Sequence, residues 1–377
     1  MRNRPRFSLN TLSVTIAAAL CIPAFVAAQT QSAPAAKTTA APAANTAAKP
    51  SAKKPWVLPR TADGQPDLHG YWTSLSYTPM ERPAKYGNRE FLTDKETQDI
   101  FNAGVRGSFD GAAGTGDAEN DPTSADYDFK TYGLEPWQNG VRPNRRTSLV
   151  VDPPDGRIPP LTPAGQARRK SAQGYFIAEE GNWQGKVHAD VAKDLGVGVT
   201  CVAEHGGPPI VPGGYNSGLF IVQGRDSIAI QTEYGFEVRV IPIDRSTHPS
   251  AGIRQWHGDG RGHWEGDTLV VETTNFRPEN AYRNANGATL KITEYFTRVD
   301  ADTIEYKFTV NDPDTWTKPW TAVVPLSSVQ GPLWEYACSE SNNDAIQIMV
   351  GARNAEKAEA EKPKTPAGVP ISQSQSK

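Results

Sequence analysis

From about residue 215 the chain alternates apolar and polar positions with a period of two, the repeat of a half-buried strand. "LFIVQGRDSIAIQTEYGFEVRVIPI" (219–243) reads as three short strands divided at Gly-Arg-Asp and Tyr-Gly. "TLVVETTNF" (268–276) is a further strand. "LKITEYFTRVDADTIEYKFTV" (290–310) is a hairpin that turns at Asp300-Ala301-Asp302. In its second arm Ile304, Tyr306, Phe308 and Val310 alternate with Glu305, Lys307 and Thr309. "WTAVVPLSS" (320–328) and "LWEYACSE" (333–340) are read as two more strands.

The first half is different. "PRTADGQPDLHGYW" (59–72) is a turn-rich opening that ends on an aromatic residue. A helix is expected from Thr93, because Thr93 and Glu96 have the spacing of a capping box. Residues 104–133 are rich in Gly and Asp and have no periodicity, so they are read as a long loop whose acids match no EF-hand spacing. A second helix is expected at "LTPAGQARRKSAQGYF", with Thr162 as cap and Pro163 at the first helical position. The fold class that follows is mainly β with a few helices: an antiparallel meander, a lipocalin-like barrel or a sandwich, behind a loop-rich N-terminal half. The barrel is preferred because closure removes exposed strand edges.

The ends have different compositions. Residues 1–28 carry Arg2, Arg4 and Arg6, then an apolar run, then Val26-Ala27-Ala28, the pattern of a signal peptide cleaved after Ala28. The expected location is periplasmic or secreted. The apolar run is too short for a membrane span, and no other long apolar segment exists. Residues 29–55, rich in Ala, Pro, Thr and Lys, and residues 355–377 have too little apolar surface to offset the entropy of ordering. They are expected to be a disordered linker and tail around a single globular domain, 56–354, loop- and helix-rich to 214 and β-rich from 215.

Charge narrows the function classes. Removing the three leader arginines from 39 basic residues leaves 36 against 42 acidic ones, a net charge of −6. Nucleic-acid binding needs a basic surface, so it is not expected. The mature chain retains two cysteines, Cys201 and Cys338, an even pair that suits one disulfide in an oxidising compartment. Buried free thiols are the alternative.

Candidate chemistry centres on "RQWHGDGRGHWEGDTLVVET" (254–273). Glu265-Gly266-Asp267-Thr268 reads as a tight hairpin turn around Gly266-Asp267. His257, Asp259 and His263 then need an explanation. Histidine with a carboxylate partner is a general-base arrangement, because the carboxylate orients the ring and stabilises its cation. The same residues could hold a metal, although His-Glu-x-x-His is absent, or could be partly exposed residues beside Trp256 and Trp264. His205 lies in a Gly/Pro loop, "CVAEHGGPPIVPGGYN" (201–216), with Glu204 and Tyr215. His69 is read as a surface residue, His248 as structural or exposed, and His188 as lying on a short helix. Nine tryptophans fit a pocket for an aromatic or sugar-like ligand, with Trp316 and Trp320 the best stacking candidates and core packing the competing role. There is no Gly-x-Ser-x-Gly elbow, Walker loop or Rossmann glycine motif, so neither nucleotide nor other cofactor is expected.

"RTADGQPDLHGYW", "TSLVVDPPDGRIPPLT", "IRQWHGDGRGHWEGDTLVVETTNF", "RVDADTIEYKFTVNDPDTWTKPW" and "EYACSE" resemble a family of uncharacterised exported bacterial proteins, over most of Pro59 to Arg353. The resemblance implies export but no activity. It also implies histidine at the positions of Phe236 and Ser339 and an apolar residue at that of His257, so this chain departs from the pattern there. Two functions are carried forward. One is a hydrolase or lyase acting on a small aromatic or carbohydrate-derived compound, with His257 as base, Asp259 as its orienter and His263 or His205 as acid. The other is a non-catalytic small-molecule-binding barrel of the cell envelope.

Overall fold

Ten strands form one antiparallel sheet that curls into a nearly closed barrel. The computed structural model describes residues 56–110, 136–171, 197–198, 200–203, 207–213, 216–244, 246–339 and 344–361. The strands are β1 (Gly70–Thr73), β2 (Val150–Asp152), β3 (Gly218–Gln223), β4 (Ser227–Thr232), β5 (Val238–Pro242), β6 (Asp259–Glu265), β7 (Thr268–Thr274), β8 (Lys291–Arg298), β9 (Thr303–Asn311) and β10 (Trp320–Ser328). Their spatial order is β5-β4-β3-β1-β10-β9-β8-β7-β6. β2 shares one edge of β10 with β1, pairing at Thr321 and Ala322 where β1 pairs at Ser327 and Ser328.

The expected meander is thus two blocks, β3–β5 and β6–β10, joined edge to edge by the short β1. A path of nine antiparallel strands leaves its end strands running the same way. β5 and β6 therefore meet in parallel, and the sixteen residues between Pro242 and Asp259 supply the crossover that a parallel pair requires. Side chains rather than a backbone ladder close this seam. An added Cβ at Gly262 would lie 2.7 Å from Ile243 Cγ2 and 3.2 Å from Ile241 Cγ2, so the glycines of β6 let the isoleucines approach.

Inward-facing positions form one core: Ile221, Ile228, Ile230, Leu269, Val271, Phe296, Phe308, Val324 and Leu326 are all buried. The loop before β3 enters one end of the barrel. Pro208, Pro209 and Ile210 are buried, and the Ile210 amide donates to Tyr306 Oη at 3.0 Å. The two ends differ. Three-, two- and four-residue turns close one end at 224–226, 266–267 and 299–302, while the approaches to β3, β5 and β6 and the long segment 275–290 lie at the other. The chain after β5 leaves from the first end, where Ile243 N donates to Asp226 O, and crosses to the second. Loops on a rigid barrel end are a common setting for function.

Helices lie outside the barrel: α1 (Asp94–Asp110), α2 (Pro136–Asn139), α3 (Pro163–Ser171) and α4 (Asp344–Ala360). Thr93 caps α1 as expected, with Glu96 N donating to Thr93 Oγ1 and Thr93 N donating back to Glu96 Oε2. Thr162 Oγ1 accepts from Gly165 N at the start of α3. α1 runs into the stretch read as a loop from 104, and α4 runs into the segment read as a disordered tail from 355. Residues 333–339, read as a strand, instead form an irregular strap outside the barrel, because Trp334 and Tyr336 follow the β4–β5 turn. No described helix is long and apolar enough to cross a membrane.

Candidate functional site

The seam between β5 and β6 carries the candidate chemistry at its loop end. Glu237 immediately precedes β5, and His257 stands two residues before β6. The parallel course of the two strands brings these starts together, and His257 Nε2 lies 3.0 Å from Glu237 Oε1. Both side chains are about one-sixth exposed. A carboxylate only accepts, so in the neutral ring the proton sits on Nε2, toward Glu237, and Nδ1 keeps its lone pair. That Nδ1 is buried and has no hydrogen-bond partner. The carboxylate on His257 is therefore Glu237, and Asp259, expected in that role, serves elsewhere.

Asp259 points to the outer face of the barrel. It accepts from Arg261 Nε and Nη2 at 2.8 Å each, and from Gln255 Nε2 at 3.3 Å. His248 Nδ1 stands 2.7 Å from its Oδ2. Burial acts to raise the Asp259 pKa, but the Arg261 and His248 hydrogen bonds and charges hold it below the ordinary carboxylate range. The other ring nitrogen of His248 faces Glu272 at 4.0 Å, and Glu272 is itself paired with Lys291. This cluster pins the 243–258 crossover to the outside of β6.

Inside the barrel lies a buried ionic network. Arg239 Nη1 and Nη2 donate to Glu294 at 3.0 and 2.9 Å, a two-pronged pair. Tyr306 Oη donates to Glu294 Oε1 at 2.9 Å while accepting the Ile210 amide. Burial opposes the Arg239 charge, yet the Glu294 carboxylate raises its pKa. Burial first, and the Glu294 charge second, push the Tyr306 hydroxyl well above its ordinary value. Arg239 Nε and Thr273 Oγ1 are buried in the same interior without a partner.

The remaining expected site residues scatter. His263 is on the outer face of β6, half-buried, 2.9 Å from Glu265 Oε1. It shares the outward face of β6 with Asp259 and Arg261, whereas His257 lies before the strand, beyond Gly258 at a φ of 70°. Trp316 and Trp320 are core, with rings 6.0 Å apart edge to face, so neither offers a stacking surface to a ligand. Trp264 packs against the core, and its Nε1 is buried without a partner. Trp256 is half-buried at the loop end, under the Arg277 guanidinium at 4.1 Å. His205, Glu204, Tyr215 and His188 lie outside the described residues. Cys201 and Cys338 are bonded, with Cα atoms 5.8 Å apart. Among the described residues no group of three or more potential metal ligands occurs.

Sequence reasoning missed Glu237, Arg239 and Glu294, whereas His248, read as structural or exposed, holds Asp259. A signal existed for one of them: in "KITEYF" an acid occupies the inward parity shared by Ile292 and Phe296. The positive-φ residues other than glycine that flank the barrel, among them Asn216, Phe236, Asn275 and Arg283, fall at the loop end. No family model, curated protein or solved structure matches the chain.

Proposed function

We propose that the protein is an exported hydrolase or lyase that acts on a small aromatic or carbohydrate-derived compound by general acid–base catalysis, with His257 as base and Glu237 as the group that orients it. One observation supports this above the others. His257 Nε2 stands 3.0 Å from the Glu237 carboxylate, while Nδ1 is buried with no hydrogen-bond partner. A ring held in this way is set to take a proton from a reactant and return it, with the imidazolium stabilised by Glu237. A periplasmic or secreted location is supported by the signal-like first 28 residues, by the family resemblance, and by the disulfide. The non-catalytic barrel has less support, because Trp316 and Trp320, its expected ligand surface, are packed into the core.

The test is a turnover screen of the purified protein against esters, lactones, glycosides and aryl ethers, with His257→Gln alongside. Loss of the base should lower kcat by roughly 10²–10⁴-fold while leaving the thermal unfolding midpoint nearly unchanged. Turnover retained in His257→Gln rejects the assignment.

A further inference from the structure

Three polar atoms on β5, on β7 and in the approach to β6 are buried and unpaired: Arg239 Nε, Thr273 Oγ1 and His257 Nδ1. Burying such groups without partners is costly, so three on neighbouring segments point to something that completes them. The strand register brings them together. Arg239 follows Glu237 on the same face of the chain, and Glu237 holds His257. Across the seam, Gly260 pairs directly with Thr273. A Cβ at Gly260 would lie 3.3 Å from Thr273 Oγ1, and one at Gly258 would lie 2.7 Å from Thr273 Cγ2. Thr273 therefore sits against the two glycines that flank the approach from His257 to β6. Thr273 is 1% exposed and Arg239 7%.

The chemistry of the missing partner follows from the inventory. Arg239 Nε–H only donates, His257 Nδ1 accepts, and the Thr273 hydroxyl does either. A hydroxyl group answers all three, because its oxygen accepts while its hydrogen is donated. Charge argues against an anion. Arg239 is offset by Glu294, and Glu237 leaves the surroundings with a formal charge of −1. A carboxylate or phosphate would add repulsion in a low-dielectric interior. Histidine also takes a proton far more readily from a phenol, whose pKa is about 10, than from an alkanol.

We propose that the barrel interior between β5 and β7 binds the neutral hydroxyl of a phenolic compound, and that Arg239 and Thr273 are its positioning donors. This rests on His257 being the base. In the step it implies, the phenolic O–H bond breaks, its proton passes to His257 Nδ1, and the electron pair stays on oxygen. Arg239 Nε–H and the Thr273 hydroxyl stabilise that charge as it forms.

The test is calorimetric titration of the protein with phenol, beside benzoate and benzene as anionic and apolar analogues. Phenol should bind at least about tenfold more tightly than either. Thr273→Val, which keeps the shape, should weaken phenol by about tenfold, the value of one lost hydrogen bond. Gly260→Ala should abolish binding while the protein stays folded, since the nearest atoms stand 3.3–3.6 Å from the new methyl. Equal binding of benzene, or phenol binding indifferent to both substitutions, overturns the proposal. Phenol binding with these sensitivities but without turnover in any screen removes the catalytic reading alone. His257-dependent turnover without a phenol site removes this inference alone.

Discussion

Asp259 shows how far a side chain's role can lie from its nearest histidine in sequence. It stands two residues from His257 and nine tenths buried, yet it is spent on Arg261, Gln255 and His248. Its pKa is depressed in the folded state, so the unfolded chain takes up the proton first as pH falls. The network's contribution is then complete above the ordinary carboxylate pKa and is lost as pH drops through the folded value. Asp259→Asn should cost roughly 1–3 kcal/mol near neutral pH, since Arg261 and His248 lose a charged acceptor. It should also flatten the acid limb of unfolding free energy measured in urea from pH 7 to 3. A variant whose acid limb matches the parent's would show that Asp259 carries none of it. The interior network was hidden for a related reason. In "VRVIP" the valines look like the core face and Arg239 the solvent face. The fold inverts this: Val238 and Val240 are 53% and 64% exposed, and Arg239 reaches inward to Glu294. Alternation assigns two faces to a strand, but a buried partner on β8, fifty-five residues away, decides which is inside.

Elements with local causes were legible. The caps at Thr93 and Thr162, the turn at Gly266-Asp267 and the hairpin at 300–302 each depend on residues within a few positions. β1 and β2, four and three residues long, have no such signal, because only the edge of β10 makes them strands. The glycines of "GDGRG" are intermediate. Their number suggested a turn, but Gly262 lies inside β6 and serves the seam. Gly262→Ala should cost about 1–3 kcal/mol, because its Cβ presses on Ile241 and Ile243 where no backbone ladder holds β5 to β6. Gly266 has nothing within 4 Å of an added Cβ and φ of 60°, so Gly266→Ala should cost only the backbone strain, about 1 kcal/mol. Denaturant midpoints of the two variants separate these causes. Amide exchange adds a local readout: Gly262→Ala should speed exchange along β5, whereas Gly266→Ala should not. Equal, uniform effects would mean the seam is not closed by this packing.

At the scale of the molecule, two segments distant in sequence converge on the loop end. The segment from Cys201 leads to the Pro208–Ile210 plug over Tyr306, and the strap from Leu333 follows the β4–β5 turn to Cys338. The bond between them spans 137 residues and encloses β3 to β10. In the chain-entropy model a loop of that length removes freedom from the unfolded chain worth about 5 kcal/mol, and the cost of removing such a bond is typically 2–5 kcal/mol. The even cysteine pair made the bond legible, but not its placement, which requires the barrel to bring strap and plug to one end. Replacing both cysteines by serine should lower unfolding free energy by that amount in urea titration, with circular dichroism of the folded state unchanged. The parent protein, unfolded in the presence of a reductant, should match the double variant in midpoint. If reduction instead leaves the midpoint of the parent unmoved, the bond does not constrain the unfolded chain. The plug is then held by Ile210, Pro208 and Pro209 in the barrel mouth alone.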